Sequence, residues 1–203
     1  MPPAGMNKQE TRGFEARETI CLAALHCLAE LGYARTTILR IVNRANVSKG
    51  ALQHHFPTKE DLMTATAERI LRNATFMPEA AQQQRSLHRD TAQEIMRGWT
   101  KLVDTDEYRA LLEILVAIRT DKALQERLSP ILKEWNKQRV AKSVAMYESA
   151  DGSDDHVGQL MTLNICMMRG LVIQNQYNDD PAENLRLMKT WVELLIPLLK
   201  PRA

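Results

Sequence analysis

Residues 36–62 read TTILRIVNRANVSKGALQHHFPTKEDL. Thr36-Thr37 can cap a helix whose apolar positions, Ile38, Ile41, Val42 and Ala45, recur at spacings of three and four. Asn46 ends that short helix. Ser48 caps a second one, 49–56, with Leu52 and Phe56 facing inward. Pro57 stops it, and Thr58-Lys59-Glu60-Asp61 matches a capping box opening a helix to about Thr75. Two short helices joined by Asn46-Val47-Ser48 make a helix-turn-helix. Ile41 and Ala45 give the small inner face where the helices cross, and Val47 plugs the space beneath the turn. Asn46 tolerates the positive φ that such a turn favours. With Leu52 as the anchor, the outer face of the second helix presents Lys49, Gly50, Gln53 and His54. These are donors on an element thin enough to enter the major groove of DNA.

Upstream, a helix is expected from Arg12, with Ile20, Ala24, Cys27, Leu28 and Leu31 on one face and Gly32 as its stop. Residues 1–11, with Pro2, Pro3 and Gly5, are expected as a mobile arm. Downstream, helices are expected at about 83–103, 107–119, 122–148, 155–177 and 182–199. Asp106, Asp121 and Asp154 are their candidate caps, and Pro130 should kink or restart the helix around it. No segment alternates in the manner of a strand. The expectation is an all-α chain of about nine helices: a helix-turn-helix head, 1–57, and a helical body, 58–203. The chain has 203 residues and a formal net charge of only +2. That excludes a histone-like coat of positive charge, but the charge is unevenly placed. Residues 1–57 carry seven Lys/Arg against four Glu, and residues 58–203 carry 20 basic against 21 acidic groups.

The motif GYARTTILRIVNRANVSKGALQHHFPTKEDL, preceded by AALHCLAELGY, resembles the TetR-type bacterial transcriptional regulators. The likeness covers residues 12–65 in motif detail and the remainder only in length and helical layout. It implies a three-helix DNA-binding head joined by a fourth helix to a ligand-binding, dimerising body. It further implies a homodimer that reads a palindromic operator and releases it when a small molecule binds. Two departures stand out. The usual Ala-Gly-Val turn is Ala45-Asn46-Val47, and a usual Leu-Tyr-His-Tyr-Phe run is Leu52-Gln53-His54-His55-Phe56. Thr36 and Thr37, at a helix N-terminus, are expected near a phosphate. Lys49, Gly50, Gln53 and His54 are the groove candidates, and His55 and Lys59 the backbone clamps. Lys8 and Arg12 either follow the groove edge or belong to a solvated arm. Arg40 and Arg44 read as surface charges. Adjacent His54 and His55 point about 100° apart on a helix, so they make a poor chelate, and no metal or cofactor is expected.

Segments 155–177 and 182–199 are apolar on nearly all sides, which calls for cover on both. They are expected to pair with their symmetry mates in a four-helix interface. Met96, Trp99, Leu112, Leu115, Ile118, Trp135 and Met168 are the candidates for a deformable, apolar effector pocket. Read singly, each is more often plain core than a pocket wall. Cys21, Cys27 and Cys166 have neither metal nor redox spacing. No segment offers the roughly 20 apolar residues needed to span a bilayer, and the polar N-terminus lacks a signal core, so the cytoplasm is the expected compartment. An enzyme is not expected: HExxH, paired ExxH, phosphate-loop and GxSxG patterns are missing. Two alternatives remain beside the regulator, an effector-independent DNA-binding dimer whose body holds a protein partner and, remotely, an all-helical enzyme.

Overall fold

The computed structural model of the chain describes residues 5, 7–75, 91–103, 105–180 and 182–202. The expected start of a helix at about residue 83 lies outside them, as do residues 1–4 and 6 of the expected N-terminal arm. The described residues fall into two compact units, 1–73 with 106–131, and 74–105 with 132–203.

The first unit contains α1 (Lys8–Arg35), α2 (Ile38–Ala45), α3 (Lys49–His55), α4 (Lys59–Thr75) and α6 (Asp106–Ala117). It also includes the start of α7 (Lys122–Met146). Helix α1 starts earlier than expected. The Asn7 side chain accepts the Gln9 and Glu10 N–H groups at 3.0 Å, and Glu10 returns a contact to the Asn7 N–H at 2.8 Å. This reciprocal cap makes Lys8–Thr11 helical where an arm was expected. Gly32 breaks α1 as expected, at φ 77° and ψ 168°, a region open almost only to glycine. The core is assembled across sequence. Ile20, Leu28, Ile41, Leu52, Phe56 and Ile114, among others, are all buried, so α1, α2, α3 and α6 share it.

The turn of the helix-turn-helix has the anticipated conformation. Asn46 sits at φ 54°, ψ 46°, the one non-glycine with positive φ among the described residues. Its N–H reaches the Asn43 carbonyl and the Val47 N–H reaches the Val42 carbonyl at 3.1 Å, the two bonds of a Schellman end. Asn46→Gly should therefore leave stability nearly unchanged, whereas Asn46→Val should lower it by about 1–2 kcal/mol. Thermal unfolding of the two variants side by side checks this.

The second unit contains α5 (Thr91–Gly98), a π-turn (Trp99–Val103), the rest of α7, and α8 (Asp154–Gln174). It is completed by α9 (Glu183–Leu195) and a short antiparallel strand pair, β1 (Tyr147–Ser149) with β2 (Leu199–Pro201). The strands correct the expectation of helix through 148 and 199. Three residues are too few for alternation to show in sequence, yet Tyr147 and Ser149 are buried and Glu148 lies outward, opposite Lys200. Pro130 neither ends nor restarts α7. It lies on an exposed face, where the hydrogen bond that a proline removes is least costly. Ser153, rather than Asp154, caps α8 by accepting the His156 N–H at 3.3 Å. Asn164 accepts the Trp191 indole N–H at 2.8 Å and Asn184 donates to the Leu171 carbonyl at 2.9 Å, so two buried amides tie α8 to α9. Among the described residues no helix is long and apolar enough to cross a membrane. Cys21 and Cys27 are buried and Cys166 is exposed.

Candidate nucleic-acid interface

Helix α3 is short and one-sided. Leu52 and Phe56 are buried, whereas Lys49, Gly50, Gln53 and His54 are exposed. Ser48 caps it by accepting the Ala51 N–H at 3.1 Å. A Cβ at Gly50 would meet nothing closer than 3.9 Å, so the small residue leaves room for another molecule and relieves no crowding within the chain. Lys49, Gly50, Gln53 and His54 therefore share one outward surface, as anticipated.

The two threonines divide. Thr36 is fully buried and its hydroxyl donates to the Gly32 carbonyl at 2.8 Å. Thr37 is exposed and is the cap of α2, accepting the Arg40 N–H at 3.3 Å. The side chain near an incoming phosphate would thus be Thr37; Thr36 belongs to the fold. Thr37→Ala should cost about 1 kcal/mol of stability through the lost cap. It should also weaken DNA binding, which a titration at fixed salt measures alongside the melt.

Lys59 turns inward instead of outward. Its ammonium donates to the Tyr33 carbonyl at 3.2 Å and lies 4.1 Å from the centre of the Tyr33 ring. Burial lowers its pKa, against the opposing pull of Glu60 and Asp121. His55 is half-buried, and burial, then His54 and then Arg17, hold its pKa below that of an ordinary imidazole. Arg44 forms a two-pronged ion pair with Glu30, fitting its reading as a surface charge.

One residue behind this surface escaped the sequence reading. Arg17 of α1 donates to the His55 carbonyl at 2.9 Å, and its guanidinium stacks 4.4 Å from the centre of the Phe56 ring. It closes the exit of α3 with a charge-assisted bond and a cation–π contact. No local signal marks it, because its partners lie 38 positions away.

The sequence between 20 and 66 matches the model of a family described as bacterial regulatory proteins, tetR family. A curated relative, the HTH-type transcriptional regulator CymR of Pseudomonas putida, is 28% identical over 92% of this chain and 92% of its own. The chain belongs to the TetR family. The HTH-type transcriptional repressor AcnR of Corynebacterium efficiens is 31% identical over 63% of this TetR-family chain and 65% of its own. Among solved structures, a transcriptional regulator from Saccharomonospora viridis in complex with choline superposes with a TM-score of 0.65. It is 18% identical and covers 92% of this chain and 99% of its own, a likeness of fold. The chain is accordingly a DNA-binding transcriptional regulator and not an enzyme.

The pocket candidates are spread over both units of this TetR-family chain. Leu112, Leu115 and Ile118, in the first, are half-buried. In the second, Trp99 and Met168 are buried, and Met96 and Trp135 half-buried. A groove of about 620 Å³ runs between α7 and α8, lined by Val140, Gly158, Thr162 and Leu163 among others and by none of the seven. The expected pairing helices expose large apolar side chains: Leu163 at 55% and Ile173 at 52% on α8, and Leu194 at 63% on α9.

Proposed function

We propose that the chain works as a homodimer that reads a palindromic operator in the cytoplasm and represses transcription from it until a small, largely apolar effector binds. Residues 1–57 would carry the DNA contacts and 58–203 the linker helix, effector pocket and dimer face. The observation carrying this reading is the outward set Lys49, Gly50, Gln53 and His54 on a helix anchored by buried Leu52 and Phe56. Thr37 stands at the neighbouring α2 N-terminus, where free N–H groups favour an anion. The exposed leucines of α8 and α9 support a two-fold partner, which would hold two recognition helices roughly 34 Å apart, one turn of DNA. The naming of AcnR as a repressor, and choline in the Saccharomonospora structure, lend weight to repression and to a small-molecule effector. An effector needs only a preference for the non-binding state, and coupling of about 1–3 kcal/mol is typical.

The test is selection of bound sequences from a random DNA pool, followed by titration of the selected site at several salt concentrations and by the size of the free protein in solution. A dimer, an inverted-repeat site and affinity falling with salt are expected. A monomer binding all sequences equally would overturn the reading.

A further inference from the structure

Three charged side chains from residues 106–131 hold the places where the chain enters and leaves the helix-turn-helix. At the entrance, Gly32 breaks α1, and the Tyr33 N–H donates to Glu113 Oε2 of α6 at 2.8 Å. A Cβ on Gly32 would lie 3.1 Å from that same oxygen, so the carboxylate is seated against the bare backbone. The Tyr33 hydroxyl donates to Asp121 at 2.9 Å. The Gly32 and Tyr33 carbonyls receive the Thr36 N–H, and the Thr36 hydroxyl donates to Gly32, one residue before the Thr37 cap of α2. At the exit, Lys59 of α4 is bound to the Tyr33 carbonyl, and Arg127 of α7 donates to Asp61 at 3.1 Å. That aspartate completes the Thr58 capping box. Hydrogen bonds thus link Glu113 of α6, through Tyr33, to Thr36, the residue before the N-cap of α2.

We propose that Glu113 is a positioning residue for DNA binding: by holding the Gly32–Tyr33 break, it sets the angle at which the helix-turn-helix leaves α1. This rests on the dimeric operator-binding reading, because the angle matters only where two heads must match two half-sites. Most of the α1–α6 contact is apolar and non-directional, with Leu25, Leu28, Leu111 and Ile114 buried. Apolar contact is non-directional, whereas three polar contacts converging on Tyr33, from Glu113, Asp121 and Lys59, together fix an orientation. Asp121 and Lys59 supply the second and third fixed points on Tyr33.

The experiment compares the full-length dimer and its Glu113→Ala variant on the operator selected by the wild type, and on the same operator with two base pairs inserted at its centre. The wild type should discriminate strongly between them. Glu113→Ala should bind the selected operator about tenfold more weakly and lose most of that discrimination, a size expected of a residue that couples without touching the ligand. Glu113→Gln, whose amide oxygen can still accept the Tyr33 N–H, should restore it. Partial unfolding would weaken both DNAs alike and leave the ratio unchanged. If Glu113→Ala does not fold, Tyr33→Phe, which removes only the bond to Asp121, should lower the ratio in the same direction. A folded Glu113→Ala or Tyr33→Phe with wild-type discrimination overturns the proposal. A wild type that ignores the insertion overturns the dimeric reading beneath it.

Discussion

Alanine at Gln53 should reduce affinity for the selected operator by roughly 30-fold or more, with little change in stability. Gln53 is exposed in the middle of α3, one turn from Lys49 and Gly50 on the same face, and its side chain makes no hydrogen bond among the described residues. Its amide is free to bond both exposed atoms of an adenine edge, a pairing worth about 1–3 kcal/mol in discrimination. In a symmetric dimer the loss is taken twice, about 2–6 kcal/mol, if the half-sites act independently. Titration against single-base variants separates two contact modes. A base contact predicts relaxed selectivity at one position in each half-site. A phosphate contact predicts a loss uniform across sequences and a salt slope reduced by about one for each contact removed. Equal affinity of wild type and variant for every sequence would remove Gln53 from the interface.

Phe56→Ala should be the most destabilising single change in the head. The ring is 2% exposed, at the junction of α3 and α4, with its N–H closing α3 onto the Leu52 carbonyl at 2.8 Å. Truncating a buried phenylalanine typically costs about 3–5 kcal/mol. That is a large part of the 5–15 kcal/mol by which most domains are stable. Here it also strips Arg17 of its aromatic partner and loosens the cap on the His55 carbonyl. Urea unfolding followed by circular dichroism should show the loss in the first unit's transition, with DNA binding lost at room temperature. Phe56→Leu, which keeps most of the volume, should cost far less. A Phe56→Ala melt matching the wild type would mean that the ring does not organise the head.

The helix-turn-helix could be read from sequence because everything that defines it is local. Thr37, Ser48 and Thr58 each accept an N–H three residues ahead, and Asn46 needs only its own backbone region. What could not be read locally was direction. Thr36 and Thr37 are neighbours of the same type, yet one is sealed under Gly32 and the other faces solvent. Lys59 stands in a motif that suggests an outward clamp, and Tyr33, 26 positions earlier, draws it inward through its carbonyl and its ring. The roles of Arg17 and Glu113, and the bond from Tyr33 to Asp121 (read from sequence only as a helix cap), were invisible for the same reason, because each acts on a backbone or hydroxyl group 38 to 88 positions away. The cap at Asn7 is a different failure. The Asn-Lys-Gln-Glu signal was present, but the nearby prolines and glycine outweighed it.

The three cysteines have a practical consequence. Burial pushes the Cys21 thiol up to about 11, and Cys27 is likewise sealed in the core, so at neutral pH neither should react with a maleimide while the chain is folded. Cys166 is exposed on α8. The native chain therefore comes with a single address for a fluorophore or spin label, and no cysteine need be removed to use it. The label would sit on one of the two helices proposed to meet their symmetry mates. Its spectrum and its rate of attachment would then report subunit pairing directly, in the unmodified sequence.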